Sequence, residues 1–130
     1  MNKIKFPEKY KFNIKRVSSS RYGDTIFCQL LLAKSNKIIG RVTLELDCQS
    51  YRTHSSLDKI YRGKGIGTLM YAAAIQYALD RGHKVRSSGY TSINAQRVWK
   101  SKRLRQYFKI RFVRHPQYTP EFDVWYASAK

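Results

Sequence analysis

The sequence is short of cysteine. Its two cysteines are Cys28 and Cys48, and neither a C-x-x-C pair nor a neighbouring histidine accompanies them, as a zinc site would require. A hairpin turn at residues 35–36 would pair residues whose numbers sum to about 71, which places Cys28 opposite Thr43 and away from Cys48. The sequence therefore predicts neither a metal site nor a disulfide.

Long apolar runs are also absent. No stretch approaches the roughly 18 apolar residues of a membrane-spanning helix, and the first residues, MNKIK, lack the apolar region of a secretion signal. We therefore expect a cytoplasmic protein without membrane association. The 130 residues suffice for one core but not for two, so we expect a single domain over residues 1–130.

Acidic residues are scarce. Only 8 Asp and Glu stand against 26 Lys and Arg, which gives a formal net charge of +18 and a pI near 10.2. So uneven a charge attracts polyanions, and it bears on partners rather than on fold. It argues against polyamine or aminoglycoside substrates, which a positive field would repel.

Alternating and helical patterns of apolar residues predict the elements of an α/β (α+β) fold. The predicted strands are 11–17, 25–33, 38–47, 51–60, 83–88, 109–113 and 122–126. The predicted helices are 69–81, which Gly82 ends, and 92–106, which Ser92 caps. This order predicts a mixed sheet with helices packed on it.

One stretch combines glycines with cations. Residues 61–68 read YRGKGIGT and lie between a predicted strand and the first predicted helix. Three glycines at alternate positions uncover backbone N–H groups at a helix N-terminus, where the helix dipole attracts anions. A plain turn is the alternative, but it needs only one or two glycines and no flanking cations. We interpret the stretch as an anion-binding loop.

The spacing excludes two other phosphate loops. A Walker loop needs Lys directly after its last Gly, whereas Lys64 lies between glycines. A dinucleotide-binding loop needs G-x-G-x-x-G, and its third Gly is missing here. Arg62-x-x-Gly65-x-Gly67 instead resembles the R-x-x-G-x-G pyrophosphate loop of the GNAT superfamily of acyl-CoA N-acyltransferases.

The resemblance covers about residues 57–104, because 87–88 and 92–99 are similar to a strand and the fourth helix of that superfamily. It implies a GNAT-like, mostly antiparallel sheet flanked by helices, pared down between its first two strands, and acetyl-CoA (coenzyme A) as the donor. In that superfamily the strand before the loop has a bulge and pairs with the pantetheine arm. The residues that the resemblance assigns to the cofactor are Leu57, Asp58, Lys59, Arg62, Gly63, Lys64, Gly65, Ile66, Gly67, Thr68 and Asn94.

Acetyl transfer to an amine needs a base that prepares the amine, a donor for the oxyanion and a proton for the departing thiolate. The resemblance favours a carboxylate on the hairpin or the fourth strand as the base, although each candidate is equally compatible with a surface charge. The candidate bases are Glu45, Asp47, Asp58 and His54. The backbone N–H groups at Leu57 and Asp58 are the expected oxyanion donors.

The leaving-group acid departs from the family pattern. Many relatives use a Tyr about four residues after the small residue that Ala95 matches, and this chain has Trp99 there. We interpret Trp99 as a core residue, since an indole is not a useful proton donor. Tyr90, just upstream of the same helix, is the substitute that the sequence offers.

The second predicted helix and the strand after it contain no carboxylate, and aromatic residues are interleaved with their cations. This pattern is typical of a surface that binds phosphates and bases, and equally of a solvated face over an aromatic core. The residues assigned to a nucleic-acid or acidic partner are Arg97, Lys100, Lys102, Arg103 and Arg105.

These observations favour an N-acetyltransferase that moves the acetyl group of acetyl-CoA to an amine on an acidic or nucleic-acid-associated macromolecule. The first alternative is a basic nucleic-acid-binding protein that keeps a GNAT-like fold without catalytic turnover. The second is an interaction protein whose fold CoA only stabilises. Binding of acetyl-CoA is the observation that bears on all three.

Overall fold

The computed structural model describes residues 4–19, 23–47, 50–89, 91–114 and 124–130. The strands are β1 Tyr10–Ser19, β2 Gly23–Leu32, β3 Ile38–Asp47, β4 Ser50–Leu57, β5 Lys84–Ser87, β6 Phe108–Val113 and β7 Val124–Ala129. The helices are α1 Ile66–Asp80, α2 Ile93–Trp99 and α3 Lys102–Tyr107, and a 3-10 turn spans Lys59–Tyr61. None of the helices in these described ranges is long and apolar enough to cross a membrane.

These strands form one sheet in the order β1-β2-β3-β4-β5-β7-β6. Strands β1 to β4 form an antiparallel meander, and β7 pairs antiparallel with both β5 and β6. The pair β4 and β5 is parallel, so its connection must cross over the sheet, and α1 is that crossover. The structure confirms the expected mixed, mostly antiparallel sheet flanked by helices.

Strands β4 and β5 separate before β4 ends. Their pairing runs from Ser50 with Lys84 to Thr53 with Ser87, where β5 stops, while β4 continues to Leu57. Strand β3 stays paired with β4 along this whole length. Residues 54–57 of β4 therefore have a paired strand on one side and an open slot on the other.

The core lies between α1 and the central strands. Residues Ile26, Leu44 and Ile75 are wholly buried, and so is most of the apolar face that recurs at helical spacing along α1. Gly40 lets α1 come close to the sheet, because a Cβ there would lie 2.8 Å from Leu57 Cδ1 and 3.0 Å from Met70 Sδ. The helix that follows the glycine loop is thus fixed directly against β3 and β4.

Several predicted boundaries are wrong. The predicted helix 92–106 is two helices, because Ser101 adopts an extended conformation and caps α3 by accepting from the Leu104 N–H at 3.1 Å. The predicted fourth strand ends at Leu57 rather than at residue 60, since the chain winds into the 3-10 turn. Helix α1 begins at Ile66, three residues earlier than predicted, because Gly65 turns the chain straight into it.

The predicted β2–β3 register is wrong by one residue. Cys28 pairs with Val42 and not with Thr43, and the register shifts between Leu30 and Leu31. Cys28 is buried as a free thiol, whereas Cys48 lies outside the described residues. Among the residues that are described, no group of three or more His, Cys, Asp or Glu side chains is placed to hold a metal ion.

Candidate active site

The glycine loop ends in a helix that no side chain caps. Gly63 and Gly65 have φ of 79° and 81°, in the left-handed region that favours glycine. Gly65 is the N-cap of α1 and has no side chain to bond the first turn. The N–H groups that open α1 therefore remain available to a ligand, and the helix dipole makes an anion the favoured one.

A first cavity of about 250 Å³ lies between this loop, the free end of β4 and helix α2. Seven of the residues predicted to bind the cofactor line it: Leu57, Arg62, Gly63, Gly65, Gly67, Thr68 and Asn94. The cavity thus contains the slot that the divergence of β4 and β5 leaves open.

The other predicted cofactor residues do not line this cavity. Ile66 is buried in the core, and Lys59 is exposed on the 3-10 turn. Lys64 is exposed, with its Nζ 6.0 Å from the centre of the Tyr61 ring. The Asp58 N–H donates to the Ile39 carbonyl at 2.8 Å, so it is not available to an oxyanion. The prediction of Asp58 as an oxyanion donor is therefore wrong.

The backbone of β4 nevertheless faces the slot. In an antiparallel pair, successive residues point their N–H and C=O groups alternately toward and away from the partner strand. Because Asp58 points its N–H to β3, the N–H groups of Leu57 and Ser55 point to the open side. The pairing with β3 runs without a shift through Leu57, so the bulge predicted for this strand is absent there. These two N–H groups can meet pantetheine amides or the oxyanion.

A second cavity of about 140 Å³ adjoins the first. Its lining includes Thr53, His54, Ser88 and Thr91. Four residues line both cavities, and they are Ser55, Tyr71, Ser92 and Ala95. We call these four residues the shared wall. A donor in the first cavity and an acceptor in the second would meet there.

Two of the candidate bases come together beside the second cavity. His54 lines it, and His54 Nε2 lies 3.7 Å from Glu45 Oε2. The same carboxylate oxygen accepts from Arg52 Nη2 at 3.0 Å, because Glu45 and Arg52 are paired across β3 and β4. Asp58 lies beyond the end of β4 and lines neither cavity.

The remaining catalytic candidates, the Asp47 side chain and Tyr90, lie outside the described residues. Trp99 is wholly buried, which agrees with its interpretation as a core residue. Its ring meets Tyr71 edge to face, with the ring centres 6.0 Å apart.

Sequence reasoning missed Tyr71, which lines both cavities. Its hydroxyl donates to Ser55 Oγ at 2.5 Å. Burial raises the pKa of Tyr71, while hydrogen bonds with Ser55 and Thr53 lower it in part. Only the helical pattern of α1 could have drawn attention to Tyr71, and that pattern predicts a core position.

Arginines gather at the end of the first cavity that the glycine loop forms. Arg62 Nε donates to the Leu57 carbonyl at 2.8 Å, and Arg97 lines the cavity from α2. Arg103 on α3 reaches back to the loop, since a Cβ on Gly65 would lie 2.7 Å from its Nη1. Arg97 and Arg103 were predicted to serve a separate partner surface, and the structure brings both to the glycine loop. Lys100, Lys102 and Arg105 are exposed.

The model of the acetyltransferase (GNAT) family matches residues 4–101, which include every cavity residue described above. The chain belongs to this family. GNAT acetyltransferases use acetyl-CoA as the acyl donor. No curated protein matches the sequence.

Solved acyltransferase structures have the same fold at low identity. The ribosomal-protein-S5-alanine acetyltransferase of Vibrio fischeri is 17% identical with a TM-score of 0.53, and the match covers 82% of this chain and 61% of that one. A cAMP-binding acyltransferase of Mycobacterium smegmatis is 13% identical with a TM-score of 0.58, and the match covers 82% of this chain and 32% of that one. The PaiA N-acetyltransferase of Thermoplasma acidophilum was solved with coenzyme A. It is 17% identical with a TM-score of 0.52, and the match covers 82% of this chain and 61% of that one. The chain spans less than two thirds of the length of each.

Proposed function

We propose that the chain is an acetyl-CoA-dependent N-acetyltransferase whose acceptor amine belongs to an acidic or nucleic-acid-associated macromolecule. One observation supports this most strongly. The uncapped N-terminus of α1 opens into a slot that meets a second cavity, and that cavity contains His54 beside Glu45. A donor site and an acceptor site with a base thus share one wall.

The donor end fits a pyrophosphate. Gly63 has open space where a Cβ would be, and Gly67 meets only Leu57, at 3.6 Å. The guanidinium groups of Arg62, Arg97 and Arg103 would make charge-assisted contacts with phosphate oxygens around these backbone N–H groups. Leu57 and Ser55 would hold the pantetheine arm through their N–H groups. When bound, acetyl-CoA supplies the acetyl group as a reactive thioester.

His54 is the residue that we assign as the general base. An imidazole can accept a proton from an amine at neutral pH. The Glu45 carboxylate at 3.7 Å would orient the ring, while Arg52 holds that carboxylate in place. This assignment unites two residues that the sequence offered only as separate candidates.

The charge of the chain supports an acidic or RNA-bound acceptor. A net charge of +18 raises the local concentration of polyanions and speeds their encounter with the site. One of the similar structures is named for an alanine of a ribosomal protein, which is an acceptor of the proposed kind. The α-amine of a protein bound to RNA is therefore the first acceptor to test.

Two peptides of equal length test the proposal with radiolabelled acetyl-CoA. Each has one free N-terminal alanine, followed in one peptide by Asp and Glu and in the other by Arg without Lys, so that the α-amine is the single amine of each peptide. We expect faster transfer to the acidic peptide, a decrease with added salt and no transfer when the amine is blocked. His54→Ala should lower kcat by about 100-fold at unchanged CoA affinity. Normal turnover in this variant would contradict the assignment of the base.

A second candidate function is nucleic-acid binding without turnover. It is favoured by the run from α2 to β6, in which many cations and no carboxylate are found. Calorimetry with acetyl-CoA and with a short RNA duplex separates the two candidates. Tight RNA binding without acetylation of either peptide, or of intact ribosomal particles, would establish this second function in place of the first.

A further inference from the structure

The shared wall contains three side-chain hydroxyls, and the proposed function uses none of them. Ser92 Oγ accepts from the Ala95 N–H at 3.2 Å as the cap of α2, and a backbone amide cannot resupply a proton to that hydroxyl. Ala95 contributes only a methyl group. The remaining polar side chains of the wall are Ser55 and Tyr71. Both face the place where the two cavities meet.

The two hydroxyls form a directed pair. Tyr71, on α1, is buried with only 3% of its surface exposed, whereas Ser55 is exposed at the slot end of β4. Tyr71 donates its proton to Ser55 Oγ, and a serine hydroxyl can accept one hydrogen bond while donating another. Ser55 therefore presents its O–H group to the cavities, and the Tyr71 hydroxyl can replace the proton that Ser55 gives up.

The ends of the two cavities fix where an acyl group must lie. Phosphates would occupy the loop end of the first cavity, and an amine would approach His54 through the second. The acyl carbon must be reached from both sides, so it lies at the shared wall, with the thioester sulfur next to it. We propose that Ser55 and Tyr71 donate the proton to the departing thiolate, an inference that rests on the proposed function. Ser55 is the catalytic residue, and Tyr71 is the positioning residue that supplies it.

The step balances without an oxidant or a metal. The amine nitrogen bonds to the acyl carbon, and the carbon–sulfur bond breaks with its electron pair left on sulfur. Sulfur takes the proton of Ser55, Ser55 takes that of Tyr71, and His54 takes the proton of the amine. Solvent then carries the proton from His54 to Ser55, which passes a proton back to Tyr71, so that one proton moves from nitrogen to sulfur overall. Because burial raises the pKa of Tyr71, its phenol stays protonated at neutral pH.

The test uses bound coenzyme A as the probe, because its thiolate has an ultraviolet absorption band that the protonated thiol lacks. A hydrogen bond from Ser55 stabilises the thiolate, so the thiol of bound CoA should titrate at lower pH in the unaltered protein than in Ser55→Ala. Tyr71→Phe should give an intermediate value. Tyr77→Phe removes a hydroxyl from the same helix outside both cavities, and it should match the unaltered protein.

Turnover on the acidic peptide gives the second readout. We expect kcat to fall by about 100-fold in Ser55→Ala and Tyr71→Phe, with an unchanged dissociation constant for CoA. Equal thiol titration in all four proteins would overturn the inference whether or not acetylation occurs. Failure of the unaltered protein to bind CoA would overturn both proposals. A shifted thiol titration without acetylation of any acceptor would contradict the proposed function, and with it the proton donation that rests on that function. Ser55→Ala alters an exposed side chain, so it decides the question if Tyr71→Phe does not fold.

Discussion

The three glycines of the glycine loop at residues 61–68 are there for different reasons. Gly63 needs its positive φ but has open space around it, whereas Gly65 has a positive φ and lies against Arg103. Gly67 is helical and has room for a Cβ, with Leu57 at an ordinary contact distance of 3.6 Å. Backbone strain, packing and ligand access can therefore be separated by substitution.

We expect alanine at these positions to separate stability from cofactor binding. Gly63→Ala and Gly65→Ala should each lower the free energy of unfolding by about 1–2 kcal/mol, because alanine is strained at positive φ. Gly67→Ala should keep or increase stability, since alanine favours a helix by about 1 kcal/mol over glycine. It should still weaken CoA binding, because its methyl group covers the N–H groups that open α1. Urea unfolding and calorimetry measure the two effects.

The outcome for Gly67→Ala decides whether this loop binds a ligand. If the variant is stable and binds CoA like the unaltered protein, close approach of a phosphate to residue 67 is excluded. If it is unstable, the helical geometry assigned to Gly67 is wrong.

The buried thiol of Cys28 predicts alkaline destabilisation. Burial raises the pKa of Cys28 from 9.0 to about 12, so the unfolded chain loses this proton at lower pH than the folded one. The contribution of the protonated Cys28 thiol to the free energy of unfolding is complete below about pH 9. It is lost at about 1.4 kcal/mol per pH unit as the pH rises toward 12. Urea unfolding at several pH values between about 8 and 10 should show a shallower decline in Cys28→Ala. Parallel declines for the unaltered protein and Cys28→Ala would contradict the predicted role of the Cys28 thiol.

At the residue scale, the sequence predicted what is local and missed what depends on packing. Arg62, Gly65 and Gly67 were found because their motif occupies six consecutive residues. The contact of Glu45 with His54 depends on the β3–β4 register, which sequence alone did not supply. The bond between Tyr71 and Ser55 depends on how α1 lies on the sheet, and no spacing along the chain encodes it.

At the scale of elements, the break between α2 and α3 matters most. Residues 92–106 have a continuous helical pattern, and Ser101 is the one position where a competing side-chain bond redirects the backbone. The break turns α3 so that Arg103 reaches Gly65. Strands and helices could be predicted from apolar periodicity, but this break could not, because a mid-helix serine is common and caps only when the chain turns there.

Removing the cap at Ser101 should destabilise α3 and with it the position of Arg103 beside Gly65. We expect Ser101→Ala to lower the free energy of unfolding by about 1 kcal/mol and to weaken CoA binding through Arg103. Ser101→Asn retains a capping side chain and is the matched control. Urea unfolding and calorimetry should place the asparagine variant close to the unaltered protein. Equal losses in both variants would mean that the serine hydroxyl does not act as a cap.

At the scale of the whole molecule, the positive charge divides into two sets. Arg62, Arg97 and Arg103 surround the loop, whereas Lys102 and Lys109 are exposed on α3 and β6 away from it. The sequence placed Arg103 on the second set, because distance along the chain hid its contact with Gly65. Charge reversal in the two sets should therefore have different effects.

We expect Arg103→Glu to weaken CoA binding, and the double variant Lys102→Glu with Lys109→Glu to spare it. The double variant should instead reduce the salt dependence of RNA affinity, by about 0.9 in the log–log slope for each duplex phosphate that the protein no longer neutralises. Calorimetry with CoA and salt titrations of RNA binding measure the two effects. An unchanged slope in the double variant would remove this face from any nucleic-acid interface.

The strand order leaves β1 and β6 with unpaired edges in the described sheet. Such edges can pair with another copy of the chain and begin aggregation, and natural proteins oppose this with charged residues, above all lysine. Lys11 and Lys15 are exposed on β1, and Lys109 and Arg111 are exposed on β6. These cations thus keep copies of the chain apart. A bound polyanion would shield that repulsion, so the chain should self-associate most readily when its charge is neutralised.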